Sequence, residues 1–592
     1  MLKWEIILKM YNLLITSDPK RPDKFLIETD QDVSIFGWTT KEKFHSYYMN
    51  ISPWNLADLF KHKNKFKLEI KYDDSIIPII EILRNELRVY QEAAKIKHYT
   101  DIQAIEEWES QEFPILFPRI QADPHQMKMV LWLLKVKKGG NFMEQGTGKT
   151  PVGILFLGKL LYDGFIEKPL VVAPLDLLSE TVWFKDLANF SDLKPIDLTN
   201  KKQFDNPQGN IRFVNPEKFM AWCFQTTAKA ERSYNKDNYF EMFRPDAVFF
   251  DEASSLKSHS SYKTMAFTKI ARHARYIGLA SGCPAPNKVF QFFPQMHILG
   301  SVLGDNYTSF QSRYGIEREK GPAKFWFPVA SAEQDIRARI DLVSYFVKRD
   351  DVLNLLPRKE YDVKIDLHEE HMKLLKAVEN DYMCAVKGVD ESGNHLEGNV
   401  LVEHELSMRI KLLRMLDGFT EVTDDDGKKT KISLPWNAKL DKLYEMTDKF
   451  LEDPESNVII WARFRSEVET IYSHYKDKAS FIYGGMTKKE REDNLIKWLD
   501  SKQCRIMVAS SKAAKFGHTW LKADKSVYFS GTDDYEDYTQ SRDRNYRRGQ
   551  TREVTEYRLI ANKTIEGSLW SGIRLKKRTD QFMKDYYAGI KI

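Results

Sequence analysis

The sequence predicts an α/β protein with two parallel β-sheets and a mixed α+β region ahead of them. Short apolar, β-rich runs alternate with helical patterns in the first half, and the same rhythm returns in the second half. This alternation is typical of parallel sheets with crossover helices. The runs are Leu170 to Ala173, Ile211 to Val214, Ala247 to Phe250, Tyr276 to Leu279, Val458 to Ala462, Phe481 to Tyr483, Arg505 to Ala509, Val527 to Phe529 and Thr555 to Leu559.

A glycine-rich segment, Met143 to Thr150, lies between two apolar helical patterns. Gly146 and Gly148 allow backbone N–H groups to point inward as an anion-binding nest, and the following helix adds the positive end of its dipole. In such a loop Lys149 reaches the β- and γ-phosphates, and the Thr150 hydroxyl ligates Mg²⁺. The segment predicts a nucleoside triphosphate site. The full pattern has a glycine at its first position, so an ordinary glycine-rich turn before a helix is the alternative.

Two carboxylates end one of the predicted buried strands. Asp251 and Glu252 follow Ala247 to Phe250, about 100 residues after Lys149, and a run this short suits a parallel strand. Asp251 would hold the metal through water, and Glu252 would orient the attacking water. An acidic helix N-terminus is the alternative, but the spacing from the lysine favours the catalytic interpretation.

An arginine-rich segment, Gln540 to Gln550, is the third element. On a helix, Gln540, Arg544 and Arg547 would share one face because of their i, i+3 and i, i+4 spacing. The guanidinium fork suits contact with a γ-phosphate. A solvated surface or a patch for a phosphate backbone is the alternative for such a row of arginines.

These three segments, in this order, resemble the motifs of Swi/Snf-type superfamily 2 helicase-like ATPases, in the viral and bacterial branch. The resemblance extends over roughly residues 116–570. Further matching segments are Pro124 to Gln126 (adenine reading), Leu170 to Leu178 with Trp183 and Phe190 after it (contact with a nucleic-acid backbone), Ala280 to Asn287 (third motif), Met408 to Phe419 (the helix entering the second lobe), Val458 to Ala462 (fourth motif) and Ser511 to Trp520 (fifth motif).

The resemblance implies two RecA-like lobes with ATP and Mg²⁺ between them, and movement along double-stranded DNA. It also implies a role for particular residues. The nucleotide-binding residues would be Gln126, Gly146, Thr147, Gly148, Lys149 and Thr150; the catalytic residues Lys149, Asp251, Glu252, Gln540, Arg544 and Arg547; the metal-binding residues Thr150 and Asp251; and the nucleic-acid contacts Pro174, Leu175, Ser281, Gly282 and Ser511.

Five regions are expected along the chain. They are an accessory domain over residues 1–115, lobe 1 over 116–300, helical protrusions and a linker over 301–435, lobe 2 over 436–570, and a basic tail over 571–592. Local patterns add further expectations: strands at Phe25 to Thr29 and Lys65 to Ile70, helices over Ile77 to Tyr99, His368 to Val386 and Val402 to Leu416, a loop from Gly388 to Gly398, and a turn at Asp424 to Lys429. The basic run Lys61 to Lys67 is expected on a solvated strand face, with contact to a phosphate backbone as the alternative.

Composition sets wider limits. A chain of 592 residues with 42% hydrophobic residues can form several cores, and its net charge of +5 permits nucleic-acid binding without indicating it. The four cysteines have no ligand spacing, which favours a reducing compartment over a disulfide framework or a zinc site. We expect a monomer in a bacterial or host-cell cytoplasm, without membrane contact and with a nuclear location left open. Residues 1–115 are expected to recognise a substrate or protein partner.

Two departures from the family pattern leave alternatives open. The fifth motif lacks the usual paired glycines, and Ser530 to Asp537 differs from the family sequence before the sixth motif. Because these regions couple nucleotide state to the nucleic-acid track in the family, strand preference stays undetermined. The alternatives are a helicase or branch-migration enzyme, a motor on RNA, and a non-catalytic module that uses bound ATP as a switch to recruit a partner.

Overall fold

The structure is a computed structural model. It describes residues 12–18, 20–29, 39–43, 46–66, 69–111, 122–175, 177–178, 182–200, 202–203, 207–226, 232–234, 244–285, 289–320, 323–381, 383–390, 393–401, 405–423, 429–512 and 519–575. The chain forms two compact units. Of the described residues, the first unit contains those up to Glu144 together with Gly148–Val352, and the second contains Gln145–Thr147 and the described residues after Val352.

The N-terminal region contains a five-stranded sheet of order β3-β4-β2-β1-β5, antiparallel except where β1 and β5 pair. Its elements are β1 (Asn12–Asp18), β2 (Arg21–Thr29), β3 (Thr39–Lys43), β4 (Ser46–Asn50), α1 (Pro53–Phe66), β5 (Glu69–Tyr72), α2 (Ile77–Ile96) and α3 (Asp101–Ser110). The predicted strand at Phe25 and the predicted helix from Ile77 are confirmed.

The predicted strand from Lys65 to Ile70 is wrong at its start, because α1 continues to Phe66 and β5 begins only at Glu69. Leu56 and Leu59 are spaced for one helix face, and both are buried in the core of this region. The basic run therefore begins on a helix, and the expected strand face is replaced by the end of α1. Packing of the apolar helix face outweighs the short alternating pattern that suggested a strand.

The N-terminal region belongs to the first unit through a buried charge cluster. The Asp58 carboxylate, 4% exposed, pairs with Arg313 at 3.0 Å and also with Arg339. Burial alone would raise the pKa of Asp58, but the two guanidinium groups lower it below its ordinary value. Because a buried carboxylate needs such partners, α1 is held against the helices that carry these arginines. The described residues of this region thus cluster with the first unit, and an accessory domain over 1–115 stays a prediction.

The first unit contains an all-parallel sheet of seven strands in the order β16-β6-β13-β12-β7-β9-β8. Its strands and two small hairpins are β6 (Lys138–Met143), β7 (Pro169–Val172), β8 (Pro195–Asp197), β9 (Ile211–Val214), β10 (Phe224–Thr226), β11 (Arg232–Tyr234), β12 (Ala247–Phe250), β13 (Tyr276–Ala280), β14 (Gly315–Lys320), β15 (Ala323–Pro328) and β16 (Ser344–Val347). Four of the sheet strands lie where apolar runs predicted them.

Helices cover this sheet. They are α4 (Pro124–Val136), α5 (Lys149–Tyr162), α6 (Trp183–Phe190), α7 (Pro216–Cys223), α8 (Tyr262–Ala271), α9 (Phe292–Ile298), α10 (Tyr307–Tyr314), α11 (Ala330–Val343) and α12 (Arg349–Val352). The central α5 is buried along nearly its whole length and packs on α4 and α6. The glycine-rich loop thus joins an inner strand of the sheet to a largely buried helix.

The second unit contains an all-parallel sheet of six strands in the order β17-β26-β25-β22-β24-β23. The strands are β17 (Lys359–Ile365), β22 (Val458–Ala462), β23 (Ala479–Ile482), β24 (Ile506–Ser510), β25 (Lys525–Tyr528) and β26 (Thr555–Ala561), and the helices are α13 (Glu369–Asp381), α14 (Glu405–Leu416), α15 (Ala438–Leu451), α16 (Arg465–Tyr475), α17 (Lys488–Asp500), α18 (Tyr535–Arg542) and one over residues 565–575. All five strands predicted in this half are confirmed.

A small closed barrel replaces part of the expected helical protrusions. Its strands are β18 (Met383–Val389), β19 (His395–Leu401), β20 (Phe419–Thr423) and β21 (Lys429–Ser433). The predicted loop at Gly388 is therefore wrong, and the helix predicted to Val386 ends at Asp381. A Cβ on Gly388 would lie 2.5 Å from the Ser433 carbonyl oxygen, so glycine here permits the close strand approach that closes the barrel. The predicted turn falls on residues 424–428, outside the described residues.

The boundaries also differ from the expected ones. Ser344–Val347 is an edge strand of the first sheet, and Lys359–Ile365 is an edge strand of the second. The stretch 301–435 is thus shared between the two units. Each of these edge strands pairs in parallel with a strand that is distant in the sequence. Such pairing leaves no pattern in the local sequence.

The described helices include none that is both long and apolar enough to cross a bilayer. Each of the four cysteines is buried as a free thiol.

A buried lysine stabilises the second unit. The Lys439 ammonium, fully buried, lies 2.6 Å from Asp417 Oδ1 and 2.6 Å from Glu566 Oε1. Burial alone would lower the pKa of Lys439, but the two carboxylates raise it above its ordinary value. We expect Lys439→Met to lower the free energy of unfolding by roughly 3 kcal/mol, because it leaves buried carboxylates without their cation. Urea denaturation followed by circular dichroism measures the change.

The matched control is Lys442→Met on the same helix, where the lysine pairs with Glu445 at a partly exposed position. Exposed pairs contribute at most about 1 kcal/mol, so this variant should unfold at nearly the wild-type urea concentration. Equal midpoints for the two variants would contradict the assigned role of Lys439.

Candidate nucleotide site

The glycine-rich loop connects β6, which ends at Met143, to α5, which begins at Lys149. Gly146 and Gly148 have φ of +82° and +94°, a region that L side chains rarely adopt. A Cβ on Gly148 would also lie 2.0 Å from the Gln126 side-chain nitrogen. The backbone conformation therefore favours glycine at both positions, and a side chain at Gly148 would also displace the Gln126 amide group.

Gln126 lies in the first turn of α4, directly beside this loop. Its side-chain oxygen, Oε1, accepts a hydrogen bond from the Asp123 backbone N–H at 3.1 Å, as part of a capping box. The residue is 7% exposed. The helix cap thus fixes the amide group that the sequence assigned to adenine recognition, and its nitrogen faces Gly148.

The Lys149 ammonium is held across the start of the loop. It donates to the Met143 and Glu144 carbonyl oxygens, each at 3.2 Å. Glu144 is in turn tied to the neighbouring strand, since its N–H donates to the Val347 oxygen and its carboxylate accepts from the Arg349 N–H, both at 2.9 Å. Thr150 follows in the first turn of α5 and is half-buried. The lysine is therefore presented by a rigid loop.

Asp251 follows β12 at the carboxyl edge of the same sheet. Its N–H donates to the Val172 oxygen at 2.8 Å, and its Oδ1 accepts from the Glu252 N–H at 3.0 Å. Burial raises the pKa of Asp251 above its ordinary value, while the nearby Lys149 charge acts to lower it. The Lys149 charge thus acts on the Asp251 carboxylate, and the roles of both residues in a nucleotide site stay a prediction.

Glu252 has a left-handed backbone, with φ of +55° and ψ of +51°. This conformation costs a non-glycine residue about 1–2 kcal/mol. A short 3₁₀ turn, Ala253–Ser255, follows directly. Strain of this kind is often found at functional sites, and here it lies at the residue assigned to water positioning.

The sixth-motif residues do not share one helix face, so that prediction is wrong. Helix α18 ends at Arg542, and Arg544 and Arg547 lie in the turns that follow. Tertiary hydrogen bonds set this turn. The backbone N–H of Trp520 donates to the backbone oxygen of Arg544 at 2.8 Å. The side-chain amide of Gln550 donates to three backbone oxygens at 2.9–3.1 Å. These contacts offset the loss of helical hydrogen bonds.

Within the second unit, the three predicted residues differ in burial. Gln540 on α18 is 5% exposed and Arg544 is 4% exposed, whereas Arg547 is half-buried. The Arg547 Nε donates to the Asp543 carbonyl oxygen at 2.7 Å. This bond orients the guanidinium group from its inner edge.

The five predicted nucleic-acid contacts are mixed in exposure. Leu175 is 50% exposed and Pro174 is half-buried, both directly after β7. Ser281 and Gly282 are buried, and the Ser281 hydroxyl accepts from the Cys283 N–H at 3.2 Å. Ser511 is 4% exposed, and most of the fifth motif, residues 513–518, lies outside the described residues. Contact with nucleic acid at these positions stays a prediction.

Two functional features were missed by sequence reasoning. Trp183 was grouped with the segment expected to touch nucleic acid, but its indole N–H donates to Asp251 Oδ2 at 2.9 Å in the protein interior. Arg358, from before the second sheet, donates to the Arg542 oxygen at 3.1 Å and supports the start of the arginine turns. Both contacts join residues far apart in sequence, so no local pattern indicated them.

Comparison with known proteins gives matches to two family models. Residues 125–412 match the SNF2-related domain, and residues 438–549 match the helicase conserved C-terminal domain. An uncharacterised ATP-dependent helicase of Mycoplasma genitalium is 25% identical over 324 residues, which is 54% of this chain and 29% of the relative. The ISWI chromatin-remodeling complex ATPase ISW1 of Saccharomyces cerevisiae is 21% identical over 78% of this chain and 40% of its own length.

The chain therefore spans less than half the length of these curated relatives. Among solved structures, the Sulfolobus solfataricus SWI2/SNF2 ATPase core in complex with dsDNA has 20% identity and a TM-score of 0.37, covering 81% of this chain and 95% of that one. The first matched range includes the glycine-rich loop and the acidic pair, and the second includes the arginine segment up to Gly549. The chain belongs to the SNF2-related, helicase-like ATPases of superfamily 2.

Proposed function

We propose that this protein is an ATP-driven motor that translocates on double-stranded DNA. The observation that carries the proposal is the arrangement at the carboxyl edge of one parallel sheet, where Lys149 follows a loop of positive-φ glycines and the buried Asp251 carboxylate follows another strand. Ligands bind at this edge in open α/β sheets. Support also comes from the names of the relatives, which describe ATP-dependent helicases and a chromatin-remodeling ATPase.

The residues present fit ATP with Mg²⁺. The loop offers backbone N–H groups and an ammonium group to the phosphates, while Thr150 and Asp251 offer the hydroxyl and carboxylate oxygens that Mg²⁺ prefers. When bound, Mg²⁺ neutralises charge on the phosphate oxygens. Gln126 holds the adenine edge beside Gly148. Phosphoryl transfer requires little more than such positioning and charge stabilisation.

The remaining proposed roles are activation of the attacking water and stabilisation of charge on the phosphoryl group. Glu252 orients the attacking water and accepts its proton. Arg544 and Arg547 stabilise charge on the transferring phosphoryl group. Leu175 and Pro174, after β7, lie in the segment proposed to follow the nucleic-acid backbone, which is consistent with the exposure of Leu175.

The test measures steady-state ATP hydrolysis with duplex DNA, single-stranded DNA, RNA and no nucleic acid. We expect duplex DNA to stimulate hydrolysis several-fold more than the other additions. Displacement of a third strand from a DNA triplex, without separation of the duplex, would then report translocation. Glu252→Gln is the control that should retain ATP binding and lose both activities.

Other outcomes would contradict the proposal. Preferential stimulation by RNA would identify an RNA motor, and release of single strands from a duplex would identify a helicase. ATP binding without hydrolysis under every condition would favour a nucleotide-dependent switch that recruits a partner.

A further inference from the structure

The Trp183 side chain is fixed in the core of the first unit. It is fully buried, and its ring meets Phe213 and Phe249 edge-on, at centroid distances of 5.7 and 5.8 Å. On a third side lies α5, the helix that begins with Lys149. A Cβ on Gly153 of that helix would lie 2.9 Å from Trp183 Cη2. The indole ring is thus packed tightly enough to hold one orientation.

This orientation directs the ring N–H at the acidic residue of the nucleotide site. Trp183 Nε1 donates to Asp251 Oδ2 at 2.9 Å, and the Glu252 N–H donates to Asp251 Oδ1 at 3.0 Å. Among the described residues, each carboxylate oxygen thus accepts from one of these two donors, and a carboxylate oxygen has lone pairs to accept a further ligand. Hydrogen bonds of this type set the orientation of carboxylates that bind metals.

Val172 and Trp183, the two ends of one segment, both form hydrogen bonds with Asp251. At its start the Val172 oxygen accepts the Asp251 N–H at 2.8 Å, and at its end the indole donates to the Asp251 carboxylate. Pro174 and Leu175 belong to this stretch. Asp251 is thus bonded through both its backbone and its side chain to the segment that the sequence assigned to nucleic acid.

We propose that Trp183 is a positioning residue that holds the Asp251 carboxylate in the orientation needed to bind Mg²⁺ with ATP. The inference rests on the proposed function, because it takes Asp251 as the metal carboxylate. Without the indole N–H, Oδ2 loses the donor that the described part of the chain gives it, and the carboxylate can rotate within its buried site. The lysine, the glycine loop and Gln126 do not depend on this hydrogen bond.

The test is Trp183→Phe, which keeps an aromatic ring against Phe213 and Phe249 but removes the N–H. A matched control is Trp132→Phe. Trp132 is equally buried in the same core, and within the described part of the chain its ring N–H has no hydrogen-bond acceptor. Both variants lose the same side-chain volume, so a purely structural effect should be similar in the two.

The measurement is binding of a fluorescent ATP analogue by anisotropy, first in EDTA and then with increasing MgCl₂. Loss of such an outer partner typically lowers metal affinity 10–100-fold. We expect Trp183→Phe to raise the Mg²⁺ concentration at half-effect by about 10-fold, while binding in EDTA stays within about twofold of wild type. Trp132→Phe should match wild type in both conditions.

A second comparison uses Asp251→Asn. If the indole acts through this carboxylate, adding Trp183→Phe to Asp251→Asn should not change the remaining Mg²⁺ response. An equal Mg²⁺ shift in Trp183→Phe and Trp132→Phe, no shift in either, or a further loss in the double variant would overturn the inference. A wild-type protein whose analogue binding does not respond to Mg²⁺ would instead refute the proposed function.

Discussion

Lys149→Ala is expected to lower ATP turnover by about 10³-fold while leaving the protein folded. The ammonium group is held over the loop by two backbone carbonyl oxygens at 3.2 Å, and it would be the main positive charge of the first unit at the phosphates. Removing one preorganised charge or donor at a transferring group typically costs about 10²–10³-fold in rate. Phosphate release from saturating ATP and DNA measures the change, and circular dichroism verifies the fold.

A matched control for this prediction is Lys168→Ala. Lys168 is exposed in the same unit, just before β7, so its loss should leave turnover near the wild-type rate. Wild-type turnover in Lys149→Ala would show that the glycine-rich loop is not the nucleotide site. A large loss in the control would point to a general effect of charge.

Arg547→Ala is expected to keep ATP binding but slow hydrolysis by about 10³-fold or more, as removal of an arginine finger does. The guanidinium group is only half-buried, and its Nε is bound to the Asp543 oxygen. Its Nη1 also donates to the Thr519 hydroxyl at 3.4 Å, so two contacts set the orientation of the guanidinium group that is proposed to reach the phosphate. Single-turnover hydrolysis, measured beside analogue binding, separates chemistry from affinity.

Arg548→Ala provides the comparison for Arg547→Ala. Arg548 is the next residue and is exposed, and the family pattern gives it no phosphate contact. Hydrolysis in this variant should remain within about threefold of wild type. If Arg547→Ala hydrolyses ATP as fast as Arg548→Ala, the proposed action of the second unit on the nucleotide is wrong.

Much of the fold could be predicted because its central strands are short, apolar and flanked by helices. β7, β9, β12 and β13 were found in this way, as were the five strands of the second sheet from β22 to β26. The edge strands β16 and β17 were missed. Their identity depends on pairing with distant strands, and β17, which is buried only at Ile365, also carries a weak apolar pattern.

Glycine was the main source of error in the middle of the chain. Gly388 suggested a loop, because glycine is common in turns, but it lies within a strand that needs close approach to Ser433. The arginine segment shows the opposite error. Its i, i+3 and i, i+4 spacing suggested a helix, but hydrogen bonds to Trp520 and Gln550 keep Arg544 and Arg547 in turns.

The sequence by itself determined the family, the two parallel sheets, and the loop and carboxylates of the nucleotide site. Those features depend on local chemistry, since positive-φ glycines, an adjacent lysine and a strand ending in acids are read from neighbouring residues. Only the tertiary structure decided the partner of Asp251, the attachment of the N-terminal region through Asp58, and the barrel. The contacts cited for them join residues 44 to 281 positions apart. Packing, charge pairing and space select such contacts without leaving a pattern in any short stretch of chain.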